Sequence, residues 1–533
     1  MLSSGLMQWR RSTARTLSSI RTSARQGRSA REVVKKRRGF GTLRCGYVVF
    51  LLCVVTAVTS SAQTFTTLAS FDITNGQEPI FVSLVQGLDG NLYGTTSGEG
   101  TTGASTTPGT VFKVTPSGTL TTLHSFCALT NCADGEHPYA GLVLSTDGNF
   151  YGTTTSGGSH GSGTVFKLTS GGTLTTLYSF CAKTNCVDGS GPYAPLVQAT
   201  DGNFYGTTIR GGKNATRCHS PNGCGTVFKI TPSGTLTTLY FFCSQTNCSD
   251  GAFPYGAGLI QGADGNLYGT ASSGGSSENL GTVFKITTTG TLTTLHQFNS
   301  ARYPYAGLVQ ATNGNFYGTS YQGGTGSCGT NFGCGTVFRV TPKVTSVLYN
   351  FCSQSNCADG SNPQAPLIQG TDGNLYGTTS SGGAKSDGSL FKITTGGTLT
   401  TLHSFDLSDG MAPSDGLVQD TDGNFYGITS AGGTSTTNCY RVGCGTVFKL
   451  SMGLGPFVTT LPTSAKVGTV IKILGTNLTG ATSVSFNGTA ATFTVVSKTQ
   501  IKTTVPSGAT TGTVTVDTPS GILKSNVVFR VRP

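Results

Sequence analysis

Apolar and polar residues alternate along most of this chain in short runs that are separated by Gly, Pro, Asn and Asp. One stretch contains four such runs, which we take as strands A to D: Ala194–Ala199, Asn203–Thr208, Gly225–Thr231 and Thr235–Phe242. Alternation with a period of two residues, bounded by turn-forming residues, predicts β-strands whose two faces differ in polarity. The chain is therefore predicted to be all-β.

The four-strand unit repeats along the chain. Asp-Gly joins strand A to strand B, and Pro-Ser-Gly or a similar turn joins C to D, as tight hairpins require. Seven units of four antiparallel strands predict a seven-bladed β-propeller over residues 63–450. The most constant phrase of the unit, Asp-Gly-Asn-(Leu/Phe)-Tyr-Gly, recurs at intervals of 49–63 residues and begins at Asp89, Asp147, Asp201, Asp264, Asn313 (the one Asn-started copy), Asp372 and Asp422.

The two ends of the repeat region complement each other. Thr64–Phe71 has the pattern of a D strand but no A, B or C strand precedes it, and the last unit stops at Leu450 after its C strand. An unpaired strand edge exposes backbone hydrogen-bonding groups that a partner strand can satisfy. We therefore predict that the first strand completes the seventh blade, as the ends of a ring do.

Residues 456–533 have a different sequence pattern from the repeats. Runs such as Val467–Leu478 and Val505–Val516 alternate apolar and polar residues between turns. This pattern predicts a small immunoglobulin-like β-sandwich. Residues 451–455 are predicted to be the linker that joins it to the repeats.

The positive charge of the chain is concentrated at its N-terminus. The formal net charge is +12, and residues 1–62 hold twelve of the 34 basic residues but only one acid, Glu32. The apolar run Tyr47–Val58 and the small residues up to Ala62 follow, which predicts a signal peptide over 1–62. A single membrane anchor is the alternative, although the run is short for a bilayer. The nearly neutral remainder cannot neutralise many phosphates, so no nucleic-acid partner is expected, and a membrane is contacted only during export.

The cysteines indicate an oxidising compartment. Fourteen of the sixteen follow the predicted signal peptide, and at each repeat position both cysteines of a pair are present or neither is. This pattern predicts seven local disulfides. Zinc is the alternative, but a zinc site needs two cysteine pairs that converge on one tetrahedral point. The pairs are spread singly along the repeats, so we expect no metal. No cofactor is expected either. The predicted pairs are Cys127–Cys132, Cys181–Cys186, Cys218–Cys224, Cys243–Cys248, Cys328–Cys334, Cys352–Cys357 and Cys439–Cys444.

The recurring polar residues are interpreted as structural. Asp-Gly is the usual solution for positive φ in a hairpin turn, so the seven turn residues are not predicted to be ligands. The Tyr of each phrase is predicted to pack between blades, as are His124, His296 and His403, which share one position on strand D. Calcium binding by loop acids such as Asp134 and Asp188 is the alternative.

The amino-acid sequence of the repeat units resembles that of a known family. Leu-Val-Gln-x-x-Asp-Gly-Asn-Phe-Tyr-Gly-Thr-Thr followed by Gly-Gly and Gly-Thr-Val-Phe-Lys-Ile-Thr is similar to the bacterial GloVer-type tandem repeats, over roughly residues 64–450. The resemblance implies an extracytoplasmic repeat protein, often with a C-terminal anchor, and no assigned activity. An apolar segment with a basic end, which such an anchor needs, is not seen after residue 450. Residues 456–533 resemble an IPT/TIG domain, which in exported proteins implies a spacer or adhesive unit.

Enzymatic motifs are not evident in the sequence. The only tryptophan, Trp9, precedes the predicted cleavage site, and no phosphate loop, His-Glu-x-x-His or strand-to-helix Gly-x-Ser-x-Gly motif is present. The chain is therefore predicted to be a secreted or cell-surface binding or structural protein without enzymatic activity. We expect a monomer whose extracellular ligand is a glycan or a protein. The alternative is a propeller hydrolase or lyase that acts on extracellular polysaccharide.

The binding site is predicted from the directions of the strands. In a four-stranded antiparallel blade the A–B and C–D turns lie at one end, and the B–C and D–A connections lie at the other. The second set holds the cysteine pairs and nearly all the variation in length, and variable loops on a rigid scaffold commonly carry recognition. The residues predicted to contact a ligand there are Lys213, Arg217, His219, Tyr321, Phe332, Tyr440 and Arg441.

Overall fold

The computed structural model describes residues 63–533 except for 99–107, 215, 219, 221, 257, 277, 330–331, 342–343, 435–438 and 440–441. The predicted signal peptide therefore lies outside the described residues. All the described residues belong to one compact unit. They contain β-strands and short 3₁₀ turns but no α-helix, and none of their helical segments is long and apolar enough to cross a membrane.

Seven four-stranded antiparallel sheets occupy the described part of residues 63–451, one for each repeat. We number them sheets 1 to 7 in chain order and keep the strand letters A to D within each sheet. Sheets 1 to 3 contain β2 (Val85–Gln86), β3 (Leu92–Thr96), β4 (Thr110–Val114) and β5 (Leu120–Ser125); β6 (Val143–Leu144), β7 (Phe150–Thr154), β8 (Thr164–Leu168) and β9 (Leu174–Ser179); and β10 (Val197–Gln198), β11 (Phe204–Thr208), β12 (Thr226–Ile230) and β13 (Leu236–Phe241). Sheets 4 to 6 contain β14 (Ile260–Gln261), β15 (Leu267–Ala271), β16 (Thr282–Ile286) and β17 (Leu292–Gln297); β19 (Val309–Gln310), β20 (Phe316–Ser320), β22 (Thr336–Val340) and β23 (Thr345–Asn350); and β24 (Ile368–Gln369), β25 (Leu375–Thr379), β26 (Ser389–Ile393) and β27 (Leu399–Ser404). Sheet 7 contains β28 (Val418–Gln419), β29 (Phe425–Thr429), β30 (Thr446–Ser451) and β1 (Thr64–Ser70), and β18 (Ala301–Arg302) and β21 (Gln322–Gly323) form a separate pair beside sheet 5.

The strands predicted for sheet 3 are confirmed, with shorter ends. Strands B, C and D each lose one residue at one or both ends, whereas strand A shrinks from six residues to Val197–Gln198. Pro195 lies within the predicted A strand, and proline has no N–H to donate to a neighbouring strand. The A strand is two residues long in all seven sheets, however, including sheets 1 and 2, which have Ser83 and Gly141 at the position of Pro195, so its short length is a feature of the repeat.

Strand β1 is the fourth strand of sheet 7, as predicted. It runs antiparallel to β30, with Thr64 opposite Ser451 and Ser70 opposite Thr446. The sheet order is β1-β30-β29-β28, so β1 takes the D position that the seventh repeat lacks. The first strand of the described chain is thereby part of a sheet whose other strands lie more than 340 residues later.

Apolar residues fill the spaces between successive sheets. Each interface has the same composition, with the Tyr of strand B and the Phe after strand D on one side and the Phe of strand C of the following sheet on the other. Corresponding clusters join sheets 4 and 5, 5 and 6, and 6 and 7. A further cluster joins sheet 7 to sheet 1 through Phe71, Phe112 and Tyr426.

The C-terminal domain, residues 456–533, contains two four-stranded sheets. The buried residues of both sheets, including Ile473, Ile501, Val514 and Val516, form one apolar cluster. The sheet orders are β31-β33-β37-β36 and β35-β34-β38-β39, and β32 pairs with β40. The strands are β31 (Thr459–Leu461), β32 (Ser464–Lys466), β33 (Val470–Leu474), β34 (Ser483–Phe486), β35 (Thr489–Ala490), β36 (Phe493–Ser497), β37 (Gln500–Thr504), β38 (Val514–Thr518), β39 (Gly521–Lys524) and β40 (Arg530–Arg532).

The C-terminal domain contacts the A–B turns of several sheets. Thr499 Oγ1 donates a hydrogen bond of 2.8 Å to the Leu88 carbonyl in sheet 1. The Lys472 ammonium donates to the Thr146 carbonyl in sheet 2, and Arg532 Nη1 donates to the Thr200 carbonyl in sheet 3 over 3.0 Å. Further hydrogen bonds reach sheet 7, where the Phe457 amide donates to the Thr421 carbonyl and the hydroxyl groups of Thr421 and Thr476 bond to each other. These residues place the C-terminal domain at the end of the sheets that carries the A–B turns.

Candidate functional site

The constant Asp-Gly-Asn phrase forms a self-contained turn. In sheet 1, Asp89 accepts hydrogen bonds from the Asn91 backbone and side chain at 3.1 and 2.6 Å, and from the Tyr93 hydroxyl at 2.9 Å. The Tyr93 ring is fully buried against Phe150 of sheet 2, with ring centroids 4.2 Å apart. Equivalent hydrogen bonds recur at Asp147 and Asp201. The predicted structural role of the turn Asp and of the packed Tyr is confirmed.

The loop acids after strand D are also structural. Asp188 is fully buried and accepts hydrogen bonds from the Tyr178 hydroxyl at 2.7 Å and from the Ala182 and Lys183 backbone amides at 3.0 and 3.2 Å. Asp134, Asp250 and Asp359 bind the corresponding loops of sheets 1, 3 and 5. In sheet 1 the partner on strand D is His124, whose Nε2 lies 3.1 Å from Asp134. Each acid therefore fastens a loop to strand D with its own protein partners.

Six of the seven predicted cysteine pairs are disulfides: Cys127–Cys132, Cys181–Cys186, Cys218–Cys224, Cys243–Cys248, Cys352–Cys357 and Cys439–Cys444. The prediction for the seventh pair differs from the structure, in which Cys328 and Cys334 are thiols that hydrogen-bond to each other. The Cys334 sulfur lies instead within 4.8 Å of the Cys352 and Cys357 sulfurs. Burial and the neighbouring Cys328 raise the pKa of Cys334 to about 12.

The expectation that the cysteine pairs lie apart from one another is wrong in two sheets. In sheet 3 both pairs, Cys218–Cys224 and Cys243–Cys248, belong to one core cluster, and in sheet 5 Cys334 approaches Cys352–Cys357. The reason is that the B–C loop and the D–A connection of one sheet leave from the same end of that sheet. Cysteine binds zinc as the thiolate, whereas the sulfurs of a disulfide are not thiolates. The sulfurs of the Cys218–Cys224, Cys243–Cys248 and Cys352–Cys357 disulfides therefore do not fit a zinc ion.

A row of tyrosines lies at the end of the sheets that carries the D–A connections. Tyr139, Tyr193, Tyr255 and Tyr305 each follow a proline and precede strand A of sheets 2 to 5. Successive ring centroids are 4.9, 5.0 and 5.2 Å apart, and Tyr321 extends the row 5.4 Å from Tyr305. Burial, with Tyr303 and Tyr321 nearby, raises the pKa of Tyr305 to about 12, so this phenol stays neutral at physiological pH.

Four of the seven predicted contact residues are described, and they form two groups. In sheet 3, Lys213 Nζ lies 4.9 Å from the centroid of the Phe241 ring, and Arg217 donates 2.7 Å to the Ser244 carbonyl. In sheet 5, Phe332 is half exposed beneath the Arg302 guanidinium, 5.0 Å away, and Tyr321 belongs to the tyrosine row. His219, Tyr440 and Arg441 lie outside the described residues.

A cleft of about 820 Å³ opens between sheets 2 and 3 at this end. The B–C loop of sheet 2, the connection from sheet 2 to sheet 3 and the B–C loop of sheet 3 all contribute to it. Its lining is mostly hydroxyl, amide and backbone groups, together with the cations of Arg210 and Lys213. No carboxylate is among the described lining residues: Thr155, Ser156, Gly161, Ser162, Asn185, Cys186, Val187, Ser190, Gly191, Tyr193, Ile209, Arg210, Gly212, Lys213, Asn222 and Gly223.

Lys213 was predicted from the sequence, whereas Arg210 and the tyrosine row were not. The recurring Pro-Tyr dipeptide, at Tyr139, Tyr193, Tyr255 and Tyr305, was a signal for the row. Arg210 directly precedes the Gly-Gly of its loop, next to strand B, and only the contact between adjacent sheets shows that it lines the same cleft as Asn185. The cleft itself joins loops from two repeats, which spacing within one repeat does not predict.

Two solved structures are similar to most of this chain. Virginiamycin B lyase from Staphylococcus aureus is similar with a TM-score of 0.46 and 11% sequence identity, over 73% of this chain and 99% of that one. A fungal alcohol oxidase of the AA5 family, in complex with copper, is similar with a TM-score of 0.45 and 12% identity, over 88% of this chain and 99% of that one. No curated protein matches the chain.

Family models match nearly all of the region that the repeats and the C-terminal domain occupy. The Gloeobacter/Verrucomicrobia repeat matches three times, over residues 50–216, 131–332 and 329–489. The IPT/TIG domain matches residues 456–531, which agrees with the resemblance seen in the sequence. The chain therefore belongs to the Gloeobacter/Verrucomicrobia repeat family and carries a C-terminal IPT/TIG domain.

Proposed function

We propose that this protein is an exported, non-enzymatic binding or structural protein, which recognises an extracellular ligand at the end of the sheets that carries the B–C and D–A loops. Its scaffold is a seven-bladed β-propeller in which sheets 1 to 7 are the blades, followed by an immunoglobulin-like β-sandwich. The observation that carries the proposal is the distribution of contacts between the two ends: the C-terminal domain contacts one, and the loops that differ between repeats lie at the other.

Three observations support a ring of seven blades. Strand β1 joins the first part of the repeat region to sheet 7, and an apolar cluster packs sheet 7 against sheet 1. Phe81, before strand A of sheet 1, contacts Tyr255, before strand A of sheet 4, with ring centroids 5.7 Å apart. In a straight array these two segments would be separated by sheets 2 and 3. A ring brings the innermost segments of distant blades together around its axis.

The position of the C-terminal domain favours the loop end as the binding surface. Thr499, Lys472 and Arg532 engage the A–B turns of sheets 1, 2 and 3, and Thr476 engages that of sheet 7. The A–B turns are built to one pattern, whereas the B–C loops vary in length and charge. Variation on a constant scaffold is typical of a recognition surface.

Export is supported by the cysteines. Six disulfides in short loops each stabilise the protein by about 2 kcal/mol on the loop-entropy estimate, and such a density is typical of secreted proteins. The predicted signal peptide over residues 1–62 accounts for delivery to that compartment. The site of action is then the cell surface or the extracellular medium.

The proposal is tested by screening the secreted protein against glycan and protein arrays. Alanine substitutions at Lys213, Arg217, Tyr321 and Phe332 should weaken binding of any ligand that is found. Ser233→Ala, in the exposed C–D turn of sheet 3, is the matched control and should leave binding unchanged. The opposite pattern would place the site at the other end of the sheets, and release of products from a polysaccharide would refute a non-enzymatic function.

A further inference from the structure

The third repeat differs from the others in the charge that flanks its Gly-Gly dipeptide. Six repeats carry Gly-Gly in the B–C loop, and only the third has a cation on both sides, Arg210 and Lys213. A feature that appears once in a repeated framework is not required by the framework. The other five repeats have neutral residues in these positions: Ser156 and Ser159, Ser273 and Ser276, Gln322 and Thr325, Ser381 and Ala384, and Ala431 and Thr434.

The structure places both cations at one cleft. Arg210 and Lys213 line the space of about 820 Å³ between sheets 2 and 3, and both residues are exposed. Neither head group forms an ion pair with an acid in the described part of the chain. Residues 209–225 also contain Arg217 but no Asp or Glu, so the whole loop is positively charged.

The rest of the lining has the chemistry of a sugar-binding surface. Asn185 and Asn222 present exposed amides, and Ser156, Ser162 and Ser190 present partly exposed hydroxyl groups. Such groups donate to and accept from sugar hydroxyls. The volume is in the range of ligand sites that hold a small molecule or a short oligomer. The larger apolar residues of this lining are Val187, Tyr193 and Ile209. Among the described lining residues they are outnumbered by polar groups, so the cleft does not have the apolar character of a pocket for a peptide side chain.

We propose that this cleft binds an acidic oligosaccharide, whose sugar carboxylates pair with Arg210 and Lys213 while its hydroxyl groups bind the amides and serines. This inference names the ligand class of the site under Proposed function and rests on that function. Arginine binds a carboxylate through two parallel hydrogen bonds, and lysine adds a second point of positive charge. Lys213 is held beside the cleft by its position over the Phe241 ring.

The test measures binding of a four-residue oligogalacturonate to the full secreted protein by calorimetry. The fully methyl-esterified form of the same oligosaccharide has the same rings without the charges and should bind at least about tenfold more weakly. The double substitution Arg210→Ser and Lys213→Thr, which copies residue types found in the other repeats, should weaken binding of the acidic form by at least about tenfold. Because both side chains are exposed, the melting temperature should not change.

Lys385→Ala supplies the matched control, because Lys385 is an exposed cation in the B–C loop of sheet 6, at the same end of the molecule. It should bind the acidic oligosaccharide as the wild type does. Equal weakening by Lys385→Ala would refute the cleft, and equal binding of tetraglutamate would refute a glycan as the ligand. If the wild type binds neutral glycans or proteins but not the oligogalacturonate, this inference fails while the proposed binding function stands; if it binds none of them, both fail.

Discussion

Replacing Phe71 by alanine tests whether the first strand of the repeat region is an integral part of the scaffold. Phe71 follows β1, is fully buried, and packs on Phe112 of sheet 1 with ring centroids 5.0 Å apart. Removal of a buried Phe side chain typically costs about 3–5 kcal/mol in the free energy of unfolding. If residues 64–451 unfold as one unit, this cost lowers the melting temperature by about 4–6 °C.

The repeats provide an internal standard for this experiment. In sheet 2, Phe180 occupies the position that Phe71 has in sheet 7. It is equally buried and packs on Phe228 of sheet 3, with ring centroids 5.1 Å apart. Phe71→Ala and Phe180→Ala should therefore destabilise the protein to the same extent in urea unfolding followed by circular dichroism. Thr66→Ala, at an exposed position of β1, should have little effect. A much smaller effect of Phe71→Ala than of Phe180→Ala would show that the first strand is a loosely attached tail.

Three further predictions concern buried polar groups. Asp188→Ala should destabilise the protein by about 2–4 kcal/mol, because it leaves the Tyr178 hydroxyl and the Ala182 and Lys183 amides without their acceptor. Proteolysis of the 181–190 loop should also increase. An unchanged free energy of unfolding together with unchanged proteolysis would contradict the role of Asp188. Burial and the nearby Asp422 raise the pKa of Asp420 from 3.8 to about 7, so the folded state holds this proton more tightly than the unfolded state and its contribution to stability falls as the pH rises through this range. Urea titrations should therefore show that Asp420→Asn gains stability relative to the wild type between pH 4 and about pH 7, and parallel pH profiles would exclude the shift. Cys334, with a pKa raised to about 12, should react slowly with iodoacetamide in the native protein and rapidly after unfolding, whereas a Cys328–Cys334 disulfide in non-reducing mass mapping would contradict the thiol form.

The sequence alone determined the local structure of the repeats. Asp-Gly and Pro-Ser-Gly turns restrict the backbone to tight hairpins, and period-two alternation assigns the faces of the strands, so strands B, C and D appear where they are predicted. The turn Asp and the packed Tyr were also assigned correctly: the turn hydrogen bonds lie within five residues, and the Tyr recurs in every repeat and packs on the following sheet, as Tyr93 does on Phe150. Repetition made these local preferences visible seven times in one chain.

Tertiary structure decided which loops meet. Arg210 and Asn185 belong to different repeats, and they line one cleft only because sheets 2 and 3 pack side by side. Cys334 approaches Cys352 and Cys357 because the B–C and D–A loops leave sheet 5 from the same end. The contact of the C-terminal domain with the A–B turn of sheet 1, made by Thr499 and Leu88, likewise joins residues 411 positions apart. Local sequence patterns restrict φ and ψ within one repeat, whereas contacts between repeats depend on how whole apolar faces pack, and so they are set only when the chain is folded.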